Sequence, residues 1–332
     1  MDAEGAVAGD IFSLYWIWPE RFRLGTMLAD EETWRVYGAA AAEQGLEMHV
    51  VSVDDVTVAA RQDGPALLVR GDPIDPSCAA FHGKLYTWPA FSDDIWRSLA
   101  LFQVIEEAGY YNLIRPNLNL ITNDKAATVL HLRDVDERWL PTIRLTTRDP
   151  EEFAVPLKEA GLAYPVVAKP TSWGGGKGVL VAHDEGELMT ALRLASAAEL
   201  TMVIQPLVEP PLEDVRVYCV NGEPIAAIRR TPAEGGIVAN TGAGGRAEFV
   251  PVPGELHRRA STIAAHLDTP WVGVDFLGGN GNYYLSEVEI DACTHLPGHG
   301  KVPGMDRILA QRFAGYRKRF ESWRASRDAV TA

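Results

Sequence analysis

Lys169 and Lys177 flank a small-residue loop in YPVVAKPTSWGGGKGVLVAH, residues 164–183. Glycine lets the backbone take conformations other residues avoid and leaves its N–H groups accessible. Lysine adds a mobile point charge. Ser172, Gly174, Gly175, Gly176, Lys177 and Gly178 between two apolar runs therefore suit an anion, above all phosphate; an ordinary surface hairpin fits the same letters. Further on, VGVDFLGGNGNYYLSEVEI places Asp275 on one apolar run and Glu287 and Glu289 on the next. Side chains two apart share a face of a strand. Three carboxylates on one face repel unless a cation lies between them. Mg²⁺, held through a few carboxylates and substrate phosphates, is the natural choice; a solvated acidic face is the alternative. Between the two stretches, Arg216 and Arg230 stand on the arms of a hairpin, and arginine's planar fork suits carboxylate and phosphate. Taken singly, each arginine reads as an exposed salt bridge.

The phosphate loop is not one of the common types. A P-loop needs a serine or threonine after the lysine, but Lys177 precedes Gly178, and position 171 is not glycine. The dinucleotide pattern GxGxxG started at Gly174 fails at Val179. HLRD at 131–134 is not the kinase catalytic triplet, and there is no DFG.

The elements that must carry these residues are legible in outline. Trp34–Gly45 has a helical pattern that stops at glycine. MHVVSVDDV and ALLVRGD read as strands, and Asp94–Ala108 as an amphipathic helix ended by Gly109. Such alternation predicts a parallel sheet. A helix follows the candidate caps Thr122, Asn123 and Asp124. PVVAKP, GVLVAH and MVIQPLV read as strands, with GELMTALRLASAAE a helix. DVRVYCV and EPIAAIRR flank Asn221-Gly222, a strong hairpin signal. Met305–Arg327 reads as a basic-leaning helix. The character of the chain changes near residue 120.

Composition narrows the function. The chain has 332 residues, 47% hydrophobic and 23% charged, enough for a full core, and a net charge of −14 with no dense Lys/Arg run, which speaks against nucleic acid. Cys78, Cys219 and Cys293 are sparse and odd in number, as expected of a reduced, cytoplasmic protein. No run approaches a membrane span, and MDAEGAVAGD lacks the layout of a signal peptide.

The order of lysine, glycine loop, arginine hairpin and acidic hairpin resembles the ATP-grasp superfamily, nearest the branch of glutathione synthetase and the ribosomal-protein glutamate ligase. The resemblance runs over about residues 94–292. It implies an α/β (α+β) ATP-grasp fold. An N-terminal α/β pre-ATP-grasp domain would occupy residues 1–120. An ATP-grasp domain would occupy 121–332, with a lid subdomain at about 121–205 and a metal-binding subdomain at about 206–320. It further implies that Lys125 and Lys169 reach ATP phosphates, that 172–178 form the lid, and that Gln205, Leu207 and Val208 meet adenine. Glu209 would hold the ribose. Asp214 and Arg216 match a D-x-R element, Arg230 an arginine aimed at the transferred phosphate, and Asn240 an N…GG stretch. Asp275, Glu287 and Glu289 would hold Mg²⁺. Glu289 departs from the asparagine common in the family, and the loop Thr294–Lys301 is unlike the family's.

On this resemblance the chain joins a carboxylic acid to an amine through an acyl phosphate, with Lys169, Arg216 and Arg230 catalytic and ATP and Mg²⁺ required. The substrates are small molecules, an amino acid or peptide-like acid among them, and a homodimer is compatible. His295, His299 and Cys293 are read as structural or exposed. A kinase on the same fold, or a regulatory nucleotide binder, would use the same machinery.

Overall fold

The computed structural model describes residues 11–18, 31–85, 87, 95–145, 155–208, 212–234, 236, 239, 245–279, 282–293 and 304–331. It divides into two units: residues 1–84, 93–116 and 293–332 form one, and residues 85–92 and 117–292 the other.

In the first unit, β1 (Phe12–Trp18) is followed by α1 (Glu31–Ala42) and β2 (Leu46–Ser52). After β3 (Val56–Ala59), β4 (Ala66–Val69) and β5 (Asp72–Pro73) come β6 (Ala79–Gly83), α2 (Ile95–Glu107) and β7 (Tyr111–Asn112). The main sheet has the order β2-β1-β6-β7 and all its pairings are parallel. The FSLYWIW run of β1 is apolar at almost every position because a central parallel strand is covered on both faces. ALLVRGD does not join this sheet. Its strand β4 sits in a small antiparallel sheet with β3 and β5, since the two-residue turn at Arg70-Gly71, both at positive φ, folds the chain straight back.

In the second unit, α3 (Pro116–Asn123), which has no counterpart in the sequence reading, leads into α4 (Lys125–Leu132). Asp124 caps α4, accepting from the N–H groups of Ala126 and Ala127 at 3.0 Å. One antiparallel sheet contains β8 (Ile143–Leu145), β9 (Val166–Pro170), β10 (Leu180–Ala182) and β11 (Met202–Pro206), ordered β10-β9-β11-β8. Helix α5 (Glu185–Ala197) packs Leu188, Leu192 and Ala195 into its core. The other sheet contains β12 (Glu213–Val220), β13 (Glu223–Thr231), β14 (Arg246–Val250), β15 (Trp271–Gly279) and β16 (Asn282–Glu289), ordered β14-β13-β12-β15-β16. Asn221 and Gly222, both at positive φ, make the tight turn between β12 and β13. Helix α6 (Gly254–Leu267) packs on β12, β13 and β15.

The last helix, α7 (Met305–Thr331), groups with the first unit rather than with the ATP-grasp region to which the sequence reading assigned it. The reason is aromatic packing. Phe320 meets Phe12 edge-on at 4.9 Å, and Phe313 meets Tyr37 at 5.9 Å. Fully buried Arg312 lies 5.0 Å over the Trp16 ring and donates to the Tyr316 hydroxyl at 2.8 Å. Among the described residues no helix is long and apolar enough to cross a membrane.

Arg259 on α6 anchors the loop after α4. It forms a two-pronged pair with Asp136, both bonds 2.7 Å, and donates to the Tyr283 and Arg138 carbonyls. Both partners are buried, so deleting one leaves an uncompensated charge. Asp136→Ala is expected to cost about 3–5 kcal/mol, read as the loss of urea stability; an unchanged midpoint would contradict this role.

Candidate functional site

The two sheets of the second unit face a cleft of about 150 Å³. Strand alternation determines what reaches it. On β9, Lys169 and Val167 share a face, and both line the cleft. On β16, Glu287 and Glu289 do the same, while Val288 turns into the core. Asp275 on β15 stands opposite Glu287 across β16 and opposite Arg216 across β12. Asp275, Glu287 and Glu289 all line the cleft.

Lys125, the first residue of α4, is held hard against the loop. Its backbone N–H donates to Thr171 O at 3.1 Å, and its ammonium donates to Trp173 O at 2.6 Å, with Glu287 3.9 Å away. Asp124, which starts the helix, is fixed by Arg144 at 2.7 Å; burial would raise its pKa, but that bond and the helix N–H groups bring it below the usual range. Burial pushes the Lys169 ammonium down to about 8, and the Lys125 charge adds to this; Glu287 and Asp214 act against it.

The loop connecting β9 and β10 has Gly175, Gly176 and Gly178 at φ near +70°. Side chains other than glycine rarely adopt that backbone, and a Cβ on Gly178 would lie 2.8 Å from the Pro170 ring. Trp173, Gly174, Gly175, Gly176 and Lys177 line the cleft. Ser172 does not. Its carbonyl accepts from the Thr87 hydroxyl at 2.5 Å, which fixes the loop's base away from the cavity.

On the same sheet, Gln205 on β11 is paired with Val167 on β9, and Gln205, Leu207 and Val208 line the cleft. Gln205 is turned by a bond to the Thr142 hydroxyl at 2.8 Å. The Leu207 N–H is already given to Pro165 O at 3.3 Å, so the hinge is partly self-satisfied. Glu209 and Asn240 lie outside the described residues.

The arginines depart from expectation. Arg216 and Asp214 line the cleft, but Arg230 does not. Arg230 lies behind the carboxylates, donating to Asp214 at 2.6 Å and Asp275 at 2.8 Å. Arg216 grips both Asp275 oxygens at 2.6 Å. Burial would raise the Asp275 pKa, but the Arg216 and Arg230 charges hold it down at about 2. The cation expected among the acids is thus, at Asp275, a pair of guanidinium groups. Among the described residues no three acidic, histidine or cysteine side chains form a ready metal cage. The donor set is nonetheless all hard carboxylate oxygen. That fits Mg²⁺ through Glu287 and Glu289, and through Asp275 once an oxygen is freed.

Sequence reasoning missed the apolar walls, including Leu140, Val179, Leu212 and Leu277. The signal was available for Val167, two residues before Lys169 on one strand face. Leu140 and Leu212 stand outside any strand pattern and carried none.

A model of the RimK-like ATP-grasp domain matches residues 123–307. Glutathione synthetase of Parasynechococcus marenigrum is 28% identical over 200 residues, covering 58% of this chain and 61% of that protein. The chain therefore spans about three-fifths of that relative's length. Among solved structures, the ATP-grasp ligase PsnB complexed with minimal precursor, Mg and ADP aligns at a TM-score of 0.62 and 20% identity, covering 92% of this chain and 97% of that one. D-alanine–D-alanine ligase from Bacillus anthracis complexed with ATP aligns at 0.63 and 14%, covering 95% and 99%. These likenesses show an ATP-grasp fold.

A polyphosphate lying against Lys169 in this cleft would require the ammonium form of that side chain. In the ligand-free protein Lys169 loses its proton as pH rises through about 8. ATP affinity is therefore expected to be full below that pH and to fall above it, with proton uptake on binding. Calorimetric titration in buffers of different ionisation enthalpy reads both. Lys169→Met should bind weakly at every pH without the fall; a level wild-type affinity across pH 8 would contradict the assignment.

Proposed function

Because the chain belongs to the RimK-like ATP-grasp family, we propose that it is an ATP-dependent ligase joining a carboxylic acid to an amine through an acyl phosphate. The observation that carries this reading is the convergence of Lys125, Lys169, the glycine loop, Arg216 and Glu287 on one cleft. Similar proteins support the substrate class: one is a glutathione synthetase and another a D-alanine–D-alanine ligase. A small amino acid or peptide-like acid is therefore the proposed donor, in a cytoplasmic setting.

In this reading adenine lies between Val167, Leu207 and Leu277, and its polar edge faces Gln205 and the hinge backbone. Lys125 and Lys169 offset phosphate charge; positioning and electrostatics carry most of phosphoryl transfer. The glycine loop covers the phosphates and excludes water, which would otherwise hydrolyse the acyl phosphate. Arg216 is the guanidinium nearest the transferring group. Glu287 and Glu289, with Asp275, would hold Mg²⁺. When bound, that ion would supply positive charge against the phosphates.

The test is ADP release with Mg²⁺ and a panel of amino acids and small acids, each with hydroxylamine, which traps acyl phosphates as hydroxamates. ADP with a hydroxamate from one acid is the expected result; ADP without hydroxamate would replace the ligase by a kinase or an idle ATPase. Lys169→Met and Glu287→Gln should each lose about 100-fold or more in turnover while melting as cooperatively as the wild type. Normal turnover in either would overturn its assigned role.

A further inference from the structure

Asp275 is buried on β15, one strand in from the edge of its sheet, between Arg216 on β12 and Glu287 on β16. Its two oxygens already accept three N–H bonds. Arg216 Nε donates to Oδ1 and Arg216 Nη2 to Oδ2, both at 2.6 Å, and Arg230 Nη2 donates to Oδ2 at 2.8 Å. Charge-assisted, two-pronged pairs of this kind are among the strongest hydrogen bonds in proteins. Gly273, two residues before Asp275, makes the approach possible. A Cβ there would sit 3.2 Å from Arg216 Cδ and 2.6 Å from Ala292 Cβ.

The two arginines are not equivalent. Arg230 has a second anchor in Asp214 at 2.6 Å and stays behind the carboxylates. Arg216 reaches the cleft itself, and Asp275 is the carboxylate that grips it from two sides.

We propose that Asp275 is an exchange seat: it holds Arg216 in the ligand-free protein, and it joins Glu287 around a divalent cation only by releasing Arg216 into the cleft. The proposal rests on the nucleotide and metal reading above. A cation on a carboxylate oxygen stands at about 2.1 Å, closer than either guanidinium nitrogen now stands. Two guanidinium groups already occupy these oxygens, and a cation added to them displaces Arg216, since Arg230 is also held by Asp214. Freed, Arg216 points where the transferred phosphate must lie, while Arg230 remains with Asp214. Without a phosphate, the freed guanidinium has lost a partner and gained none. Cation binding to the nucleotide-free protein is therefore weak, and nucleotide and cation strengthen one another by the same factor. Asp275 thereby acts as a positioning residue for Arg216, besides any contact with the cation.

The probe is Mn²⁺ alone, followed by the electron paramagnetic resonance signal of the free ion, with no nucleotide present. Arg216→Ala should bind Mn²⁺ about tenfold or more tighter than the wild type, and Asp275→Asn no tighter than the wild type. Arg216→Gln, which keeps a hydrogen-bond donor for Asp275 without its charge, serves if Arg216→Ala does not fold; it should also gain affinity. A non-hydrolysable ATP analogue should tighten Mn²⁺ binding more in the wild type than in either Arg216 variant. Equal or weaker Mn²⁺ binding by the folded Arg216 variants would overturn the exchange. Hydroxamate formation is read separately. If it persists while the Mn²⁺ affinities are equal, the exchange fails and the ligase reading stands; if it is absent while the Arg216 variants gain affinity, the reverse holds.

Discussion

Most of this site depends on the burial of charge on neighbouring strands of one sheet. Asp214 and Arg216 lie on β12, Arg230 on β13 and Asp275 on β15, and hydrogen bonds join Asp275 to both arginines and Arg230 to Asp214. Removing an ion pair from water costs several kcal/mol per ion unless the geometry returns it. Here the two-pronged Arg216–Asp275 pair returns much of that cost, while burial still pushes the Asp214 pKa up. In the ligand-free protein this cluster forms the floor of the cleft, with Arg230 held by two carboxylates and Arg216 by one.

Against this floor stands a wall whose charges are less well served. Lys169 is pushed toward neutrality by burial and by Lys125, with Glu287 and Asp214 only partly opposing. Lys125 uses its ammonium to hold the loop through the Trp173 carbonyl. A polyphosphate entering the cleft supplies the negative charge that these lysines lack. The cleft is thus balanced on one side and short of anion on the other. That asymmetry fits a site in which the nucleotide is a substrate, arriving and leaving at each turnover.

Much of this was legible in the residues because it depends on period two and on turn chemistry. Glu287 and Glu289 had to share a face, Asn221-Gly222 had to turn, and one of Thr122, Asn123 and Asp124 had to cap. What was hidden required the third dimension. Nothing local in Asp275 says that two arginines from other strands will claim it, and nothing in Arg230 says that it will stand behind Asp214 rather than in the cavity. Ser172 reads as part of a phosphate loop, yet its carbonyl is fixed by Thr87, distant in sequence. The path of the last helix was hidden for a similar reason. The sequence shows it as a basic-leaning helix, while its buried face and the choice of Phe12 and Tyr37 as partners are a matter of shape.

The central claim is that this charge pattern is built for a triphosphate. The most direct measurement is a crystal structure with a non-hydrolysable ATP analogue and Mg²⁺. The account predicts phosphate oxygens within hydrogen-bond reach of the Lys125 and Lys169 ammonium groups, the adenine against Val167 and Leu277, and the glycine loop over the phosphates. Phosphates away from both lysines, or a nucleotide outside this cleft, would contradict it.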